Sequence, residues 1–147
     1  GDEWEADIAR NLSGAFYLCQ AAIPHLLETS GNIVNVASVA GVMGEAYSAA
    51  YTAAKHGIVG LTKALAIEYL KTPLRVNCVC PGGMDTPQVS TISVPDDADW
   101  ELIMRVAAKR GIMTPDSVAA VIAFLASDDA SSIHGSIQMV DHGHLAG

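Results

Sequence analysis

Residues 32–37 read NIVNVA, a short run rich in β-branched side chains between small residues. Such a run is typical of a parallel strand that is buried on both faces. Residues 75–80, RVNCVC, form a second run of this kind, which Pro81-Gly82-Gly83 ends abruptly. Because a long helical pattern separates the two runs, the sequence predicts a βαβ crossover unit.

Helical and strand patterns alternate around this unit. Apolar residues recur at helical spacing over residues 3–28 and again over about 47–70, so two long helices are predicted there. Trp100 and Pro115 open two shorter helical patterns, and residues 136–140, SIQMV, read as a last strand. The fold class is therefore α/β, with about three parallel strands and flanking helices in a doubly wound arrangement.

The composition is that of one ordinary globular domain, residues 1–147. Half of the residues are hydrophobic and 16% are charged, which allows a buried core. The net charge of −8 has the wrong sign for binding nucleic acid or an anionic membrane surface. The longest apolar run, residues 118–126, is far shorter than the roughly 20 residues that a spanning helix needs. The odd count of three cysteines argues against a disulfide framework, so we expect a reducing, cytoplasmic compartment.

The two long helices carry unusually little charge. No Asp, Glu, Lys or Arg occurs over residues 11–27, and Lys63 and Glu68 are the charged residues over 56–70. A helix that is apolar on more than one side needs cover on more than one side. Either a partner subunit or a domain absent from this chain supplies that cover, and both readings stay open. The first predicts a homodimer or homotetramer formed through helices 3–28 and 47–70.

Tyr51 and Lys55 lie four residues apart in the second long helix, so their side chains share one face. A neighbouring ammonium favours the phenolate form of tyrosine, which could then act as a general acid or base nearer neutral pH. Ser38 follows the first strand at its carboxyl end, where parallel α/β sheets form their ligand crevices. Taken alone, the Tyr51–Lys55 spacing also arises by chance, and Ser38 alone reads as a turn residue.

The motifs around these residues occur in a fixed order along almost the whole chain. They are NLSGAF from Asn11, GNIVNVASVAG around Ser38, YTAAK beginning thirteen residues after that serine, RVNCVCPGGMDT from Arg75, and the closing segment PDSVAAVIAFLASDDASSIHGSIQMVDHG. In this order and at these separations they strongly resemble the short-chain dehydrogenase/reductase family. The resemblance implies a Rossmann-like fold and an oxidoreductase that interconverts a small-molecule carbonyl and an alcohol with NAD or NADP.

The resemblance also implies a role for individual side chains. Tyr51 would donate or accept the proton of the reacting oxygen, and Ser38 would hydrogen-bond that oxygen. Lys55 would lower the pKa of the phenol and hold the ribose of the nicotinamide cofactor, while Asn11 would support a relay water behind Lys55. The catalytic residues are thus Asn11, Ser38, Tyr51 and Lys55, and the cofactor-binding residues are Tyr51, Lys55, Pro81, Gly82, Met84 and Thr86.

A glycine-rich phosphate loop is missing from the sequence. None of the 13 glycines forms a G-x-G pair, so there is no G-x-G-x-x-G loop, and the residue that selects NAD or NADP is missing with it. We therefore expect the C-terminal half of a doubly wound Rossmann-like sheet, with about a hundred residues preceding Gly1 in the source protein. Its first strand should then present an unpaired edge. The competing hypothesis is a non-enzymatic remnant or oligomerisation module that keeps the fold and binds no nucleotide.

Three other features have simpler interpretations. Residues 141–144, DHGH, could be read as a metal cluster, but a zinc site normally needs three or four ligands held by defined elements, so no metal is expected. Cys78 and Cys80 alternate with Val79 and should share one buried strand face. The irregular segment 84–99 is long for a connection and is predicted to be a lid or substrate loop.

Overall fold

Three parallel strands form the centre of the fold. The computed structural model describes residues 1–87, 94–108 and 110–146. Within them lie β1 (Asn32–Val36), β2 (Arg75–Pro81) and β3 (Ile137–Val140), hydrogen-bonded in the order β1–β2–β3. All neighbouring strands are parallel. The predicted α/β class and the three predicted strands are therefore confirmed, with small shifts at the strand ends.

Helices connect and cover the strands. The stretch predicted as one helix over 3–28 is helical throughout but has three parts: α1 (Asp2–Ile8), a π-helical turn (Ala9–Ser13) and α2 (Gly14–Glu28). The second long helix, α3 (Ala49–Glu68), lies within its predicted range. The shorter helices are α4 (Trp100–Met104) and α5 (Pro115–Ala126), and single turns of 3₁₀ helix occur at Val39–Gly41 and Asp128–Ala130.

The side chains of β2 alternate between two helical layers. Val76, Cys78 and Cys80 are fully buried and pack with residues of α2 and α3. Val79 points to the opposite face of the sheet, where it packs with Leu125 and other residues of α5. Cover on both faces explains why residues 76–81 of this strand are all buried, with Asn77 as the one polar side chain among them.

Side chain–backbone bonds hold β2 to the chain that leads into β3. The Arg75 guanidinium donates to two carbonyl oxygens at the C-terminal end of α5, at 2.9 and 3.0 Å, where a cation also complements the helix dipole. The buried Asn77 side chain donates to the Ile133 carbonyl at 2.8 Å and accepts from the Ser136 N–H at 2.9 Å. These bonds fix the relative height of β2 and β3, and therefore the edge at which both strands end.

The outer side of β1 has no strand partner among the described residues, because β1 is a terminal strand of the sheet. Cys19, Cys78 and Cys80 are free and buried. Across the described ranges, no helix combines the length and apolarity needed to cross a membrane.

Candidate active site

The segments that follow the three strands meet at the carboxyl edge of the sheet. Ser38 comes two residues after β1, Gly82 directly after β2, and Asp141 directly after β3. The Gly82 N–H donates to the Val140 carbonyl at 2.9 Å, and a Cβ built on Gly82 would lie 3.1 Å from the Cα of Asp141. This close approach joins the segments after β2 and β3 into one wall of the crevice that parallel sheets use for ligands.

Ser38 is held at the start of the 3₁₀ turn that follows β1. Its Oγ accepts a hydrogen bond from the Ala40 N–H at 3.1 Å, and the side chain is half-buried. Because Oγ is the acceptor in this bond, its own hydrogen can still be donated to another oxygen. Ser38 therefore caps the turn, and its hydroxyl is still able to bind a substrate oxygen.

Lys55 joins α3 to the end of β1. Its Nζ donates to the Val36 carbonyl oxygen at 3.2 Å and lies 5.5 Å from the ring centroid of Tyr51, one helical turn away. Burial lowers the pKa of Lys55 below its usual range. The structure thus places Lys55 between the helix that carries Tyr51 and the strand that leads to Ser38, and it sets the ammonium over the tyrosine ring.

Gly41 explains how the loop after β1 lies so close to α3. A Cβ built on Gly41 would be 2.8 Å from the Lys55 carbonyl oxygen and 3.1 Å from Cγ2 of Val59. Contacts under 3.0 Å force a shift, and here one partner is helix backbone, which cannot rotate away. A glycine is therefore needed at this position for the Ser38 turn to dock against the helix that carries Tyr51 and Lys55.

Gly41→Ala is expected to push the Ser38 turn away from α3. Overpacking of this kind costs about 1–3 kcal/mol of unfolding free energy, and it should also lower turnover because Ser38 moves. Gly44→Ala is the matched control, since nothing lies within 4 Å of a Cβ at Gly44; it should stay within about 0.5 kcal/mol of the wild type. Urea denaturation and turnover of the full-length protein check both variants, and equal effects at the two glycines would contradict the docking role.

Asn11 lies in the π-helical turn between α1 and α2. This turn packs on α3, because a Cβ built on Gly57 would lie only 2.7 Å from the side chain of Leu12. Turns of π helix inside α-helices often occur at functional sites. The structure therefore brings Asn11 to the helix of Tyr51 and Lys55, while no direct hydrogen bond joins Asn11 to Lys55 among the described residues.

The residues assigned to the nicotinamide end of the cofactor lie at the end of β2 and in the segment that follows it. Pro81 is its buried last residue, and Thr86 is half-buried. Met84 pairs with Met113 through the two bonds Met113 N–H to Gly83 O (2.9 Å) and Asp85 N–H to Met113 O (3.0 Å). These bonds use the Gly83 carbonyl and the Asp85 N–H. In a parallel pairing the N–H and C=O of Met84 therefore face away from Met113, and they make no hydrogen bond among the described residues. Residues 88–93 of the predicted substrate loop lie outside the described residues.

Cys78 and Cys80 share one face of β2, as predicted, and pack towards α3. A hydrogen bond with Cys78 and burial raise the pKa of Cys80, so this thiol stays protonated. Both side chains are fully buried and fill the core between β2 and α3.

The DHGH segment is shaped by Asp141. Its carboxylate accepts from the Gly143 and Leu145 N–H groups, each at 2.9 Å, and so closes a turn. Where the structure describes the chain, no group of three or more His, Cys, Asp or Glu residues could hold a metal ion.

Comparisons with known proteins agree with this topology. A family model described as enoyl-(acyl carrier protein) reductase matches residues 1–144. D-beta-hydroxybutyrate dehydrogenase of Cupriavidus necator is 37% identical, with 99% of this chain and 60% of that protein covered. Meso-2,3-butanediol dehydrogenase of Serratia marcescens is 41% identical, with 99% and 57% covered. The chain belongs to the short-chain dehydrogenase/reductase family.

Solved structures give the same result. A 4-hydroxyisoleucine dehydrogenase complexed with NADH superposes with a TM-score of 0.83 at 33% identity, over 100% of this chain and 61% of that one. The resemblance drawn from the sequence motifs is therefore confirmed at the level of family and fold. The chain spans about 60% of the length of these relatives.

Proposed function

We propose that the full-length protein is an NAD- or NADP-dependent oxidoreductase that interconverts a carbonyl and an alcohol at Ser38, Tyr51, Lys55 and Asn11. The observation that carries the proposal is the bond from Lys55 Nζ to the Val36 carbonyl. It ties the tyrosine–lysine pair to the end of β1, two residues before Ser38, so that hydroxyl, phenol and ammonium groups serve one crevice. The matching relatives are dehydrogenases and reductases, which supports the same chemistry.

In the direction of alcohol oxidation, Tyr51 takes the hydroxyl proton and Ser38 holds the same oxygen by a hydrogen bond. Both interactions strengthen as negative charge develops on that oxygen, so they favour the transition state over the bound alcohol. A nicotinamide cofactor held by Lys55 and the residues after β2 would supply the hydride acceptor for the carbon. In the reverse direction Tyr51 returns the proton to the oxygen of the reduced carbonyl.

Lys55 supports this proton transfer through its charge. An ammonium next to a phenol favours the phenolate, which the tyrosine needs in order to act as a base near neutral pH. The Val36 carbonyl accepts one of the ammonium hydrogens and leaves the others for the ribose of a cofactor. Asn11, in the π-helical turn packed against α3, is placed to hold a water in a relay behind Lys55.

The residues after β2 suit the nicotinamide end of the cofactor. The N–H and C=O of Met84, which make no hydrogen bond among the described residues, match the donor and acceptor of a carboxamide. The pyrophosphate needs a glycine-rich turn at a helix N-terminus, and none of the 147 residues forms a G-x-G-x-x-G motif. The proposal therefore concerns the site when such a segment accompanies it; a structural relative at 33% identity is complexed with NADH.

The test is nicotinamide binding and turnover by the purified full-length protein. Titration with NADH and with NADPH, followed by cofactor fluorescence, should give saturable binding of at least one of them. A panel of secondary alcohols should then reduce the oxidised cofactor in proportion to enzyme. A folded protein that binds neither nucleotide would contradict the proposal and would favour the non-enzymatic module.

The apolar faces of α2 and α3 fit a second copy of this chain, as a homodimer or as half of a homotetramer. Leu18 on α2 and Ile67 on α3 are 73% and 74% exposed, and Tyr17 and Leu70 beside them are more than 60% exposed. Large apolar side chains grouped on neighbouring helices are typical of interfaces. The near absence of charge over residues 11–27 removes the groups that would keep such a face in water.

Replacing both Leu18 and Ile67 with aspartate should convert the oligomer to a monomer. Two buried carboxylates per subunit, facing their symmetry mates without partners, cost several kcal/mol in an interface. Sedimentation velocity at micromolar concentration measures the change. Ile112→Asp, at a position that is 64% exposed outside these helices, is the control and should leave the oligomer intact. A wild-type protein that sediments as a monomer would contradict the proposed interface.

A further inference from the structure

A polar side chain lies in the middle of the face that β1 turns towards α2 and α3. Ile33 and Asn35 alternate along the strand, and Ala37, one residue past its end, continues the same face. Ile33 packs against one apolar cluster and Ala37 belongs to another, while Asn35 stands between them and is 8% exposed. An apolar side chain would fill this position without the cost of burying an amide, so the asparagine needs an explanation.

The Asn35 amide joins both helices of this layer to the strand. Its Nδ2 donates to Oγ1 of Thr62 in α3 at 3.0 Å, and its Oδ1 accepts from the Cys19 thiol of α2 at 3.6 Å. The Thr62 hydroxyl in turn donates to the Ile58 carbonyl at 2.9 Å. Because all three side chains are buried, water competes little for these bonds. Buried hydrogen-bond networks of this kind favour one packing arrangement over its alternatives.

Two side chains attach α3 to β1, and they differ in stiffness. Lys55 binds the Val36 carbonyl and Thr62 binds the Asn35 amide, and the two helix positions lie seven residues, or roughly 10 Å, apart along the axis. Lysine reaches the strand through a flexible four-carbon stem, whereas threonine is short and has a restricted χ1 torsion. The Thr62 attachment therefore determines where the helix lies on the strand, and the lysine adjusts to it.

We propose that Asn35 is a positioning residue that fixes α3 on β1 through Thr62. This bond keeps Tyr51 and Lys55 in register with Ser38. The proposal rests on the proposed function, since it supplies the support behind the same site. The strand of Asn35 ends two residues before Ser38, and the helix of Thr62 begins two residues before Tyr51. The bond therefore links the two elements that present the reacting groups, and its loss lets α3 shift relative to Ser38.

Thr62→Val removes the partner of Asn35 and keeps the shape of the side chain. In the full-length protein, kcat/KM for the most active secondary alcohol of the panel should fall roughly 10-fold or more, because the reacting groups are misplaced. Lys55 then favours the phenolate of Tyr51 less, so the acid limb of the pH profile of kcat/KM should move up by at least ~0.5 pH unit. Thr62→Ser keeps a hydroxyl and should restore both quantities. An acid limb that stays in place in Thr62→Val would overturn the proposal.

A double replacement separates positioning from stability. Asn35→Leu combined with Thr62→Val exchanges both hydrogen-bonding partners for apolar groups of similar shape, which can leave stability nearly unchanged. The urea midpoint should then return towards the wild-type value, while the acid limb of the pH profile stays displaced. Return of both quantities to wild-type values would mean that the bond only stabilises the fold, and it would overturn the positioning role.

Asn32→Leu is the matched control on the same strand. The Asn32 side-chain amide donates to the Ala126 carbonyl of α5 at 2.9 Å, on the face of β1 that Val34 shares. This variant also removes a bond between β1 and a helix, but that helix carries none of the reacting groups. The acid limb of its pH profile should stay in place. A move as large as that in Thr62→Val would overturn the link through α3.

The phenol of Tyr51 can also be observed without turnover. NMR of protein labelled with carbon-13 at the tyrosine Cζ reports the ionisation of each phenol, and comparison with Tyr51→Phe assigns the signal. An upward move of the Tyr51 titration midpoint in Thr62→Val, in a protein that oxidises no alcohol, would reject the proposed function and keep the positioning role. An unmoved midpoint together with normal alcohol turnover would reject the positioning role and keep the proposed function.

Discussion

Tyr51→Phe in the full-length protein should lower kcat by at least ~10²-fold, because the variant keeps the ring and loses the one group proposed to carry the proton. The cofactor dissociation constant should stay nearly unchanged, since the contact of the ring with Lys55 does not need the hydroxyl. Steady-state rates with a secondary alcohol, together with fluorescence titration of the reduced cofactor, measure both quantities. A large loss in kcat without a loss in cofactor affinity is the pattern expected for a proton donor.

Tyr47→Phe provides the matched control for the loss of a tyrosine hydroxyl. Tyr47 lies four residues before Tyr51, in the loop that leads into α3, and its hydroxyl accepts the Asp99 N–H at the start of α4. Its removal should cost about 1 kcal/mol of stability and leave kcat within a few-fold of wild type. Near-normal turnover by Tyr51→Phe, or equal losses in the two variants, would remove Tyr51 from its proposed role.

The elements of this fold could be predicted because each produces a local pattern. The β-branched residues of β1 and the mostly apolar residues of β2 both favour a strand, although burial on both faces holds for β2 and not for β1, where Val36 is exposed. The π-helical turn around Asn11 could not be predicted in this way. One extra residue in a helical turn leaves the spacing of apolar positions almost unchanged, so helical periodicity does not register it.

The candidate site also has features that a local sequence pattern predicts and features that it does not. The spacing of Tyr51 and Lys55 within one helix is a local property, and the sequence placed the two side chains together correctly. The bond from Lys55 to Val36 and the docking of Gly41 on α3 are contacts between segments that lie apart in the sequence. Their geometry depends on how helices and loops pack on the sheet, which residue spacing does not determine.

Lys55→Met should lower kcat by roughly 10²–10⁴-fold and also weaken cofactor binding, in contrast to Tyr51→Phe. Methionine keeps most of the volume of the lysine side chain but has no charge to favour the phenolate and no donor for the ribose. The same rate and titration measurements distinguish the two variants. Lys63→Met, on an exposed position two turns further along α3, is the control and should behave as wild type. Cofactor affinity unchanged in Lys55→Met would contradict the ribose contact.

Stability should respond to the Lys55 change in the opposite sense from activity. Burial lowers the pKa of Lys55 from its ordinary value of 10.5, so the folded protein releases this proton at a lower pH than the unfolded chain does. Between the lowered pKa and 10.5 the unfolded chain binds more protons than the folded protein, so the free energy of unfolding rises with pH in this range.

Lys55→Met should lose this contribution while remaining at least as stable as wild type near neutral pH, because the buried cation is gone. Urea denaturation as a function of pH measures both effects. Identical pH dependence of stability in Lys55→Met and wild type would show that the ammonium is not buried in the folded protein. A lysine that costs stability where it lies and is needed for turnover is what a catalytic position predicts, whereas a purely structural lysine would stabilise the fold.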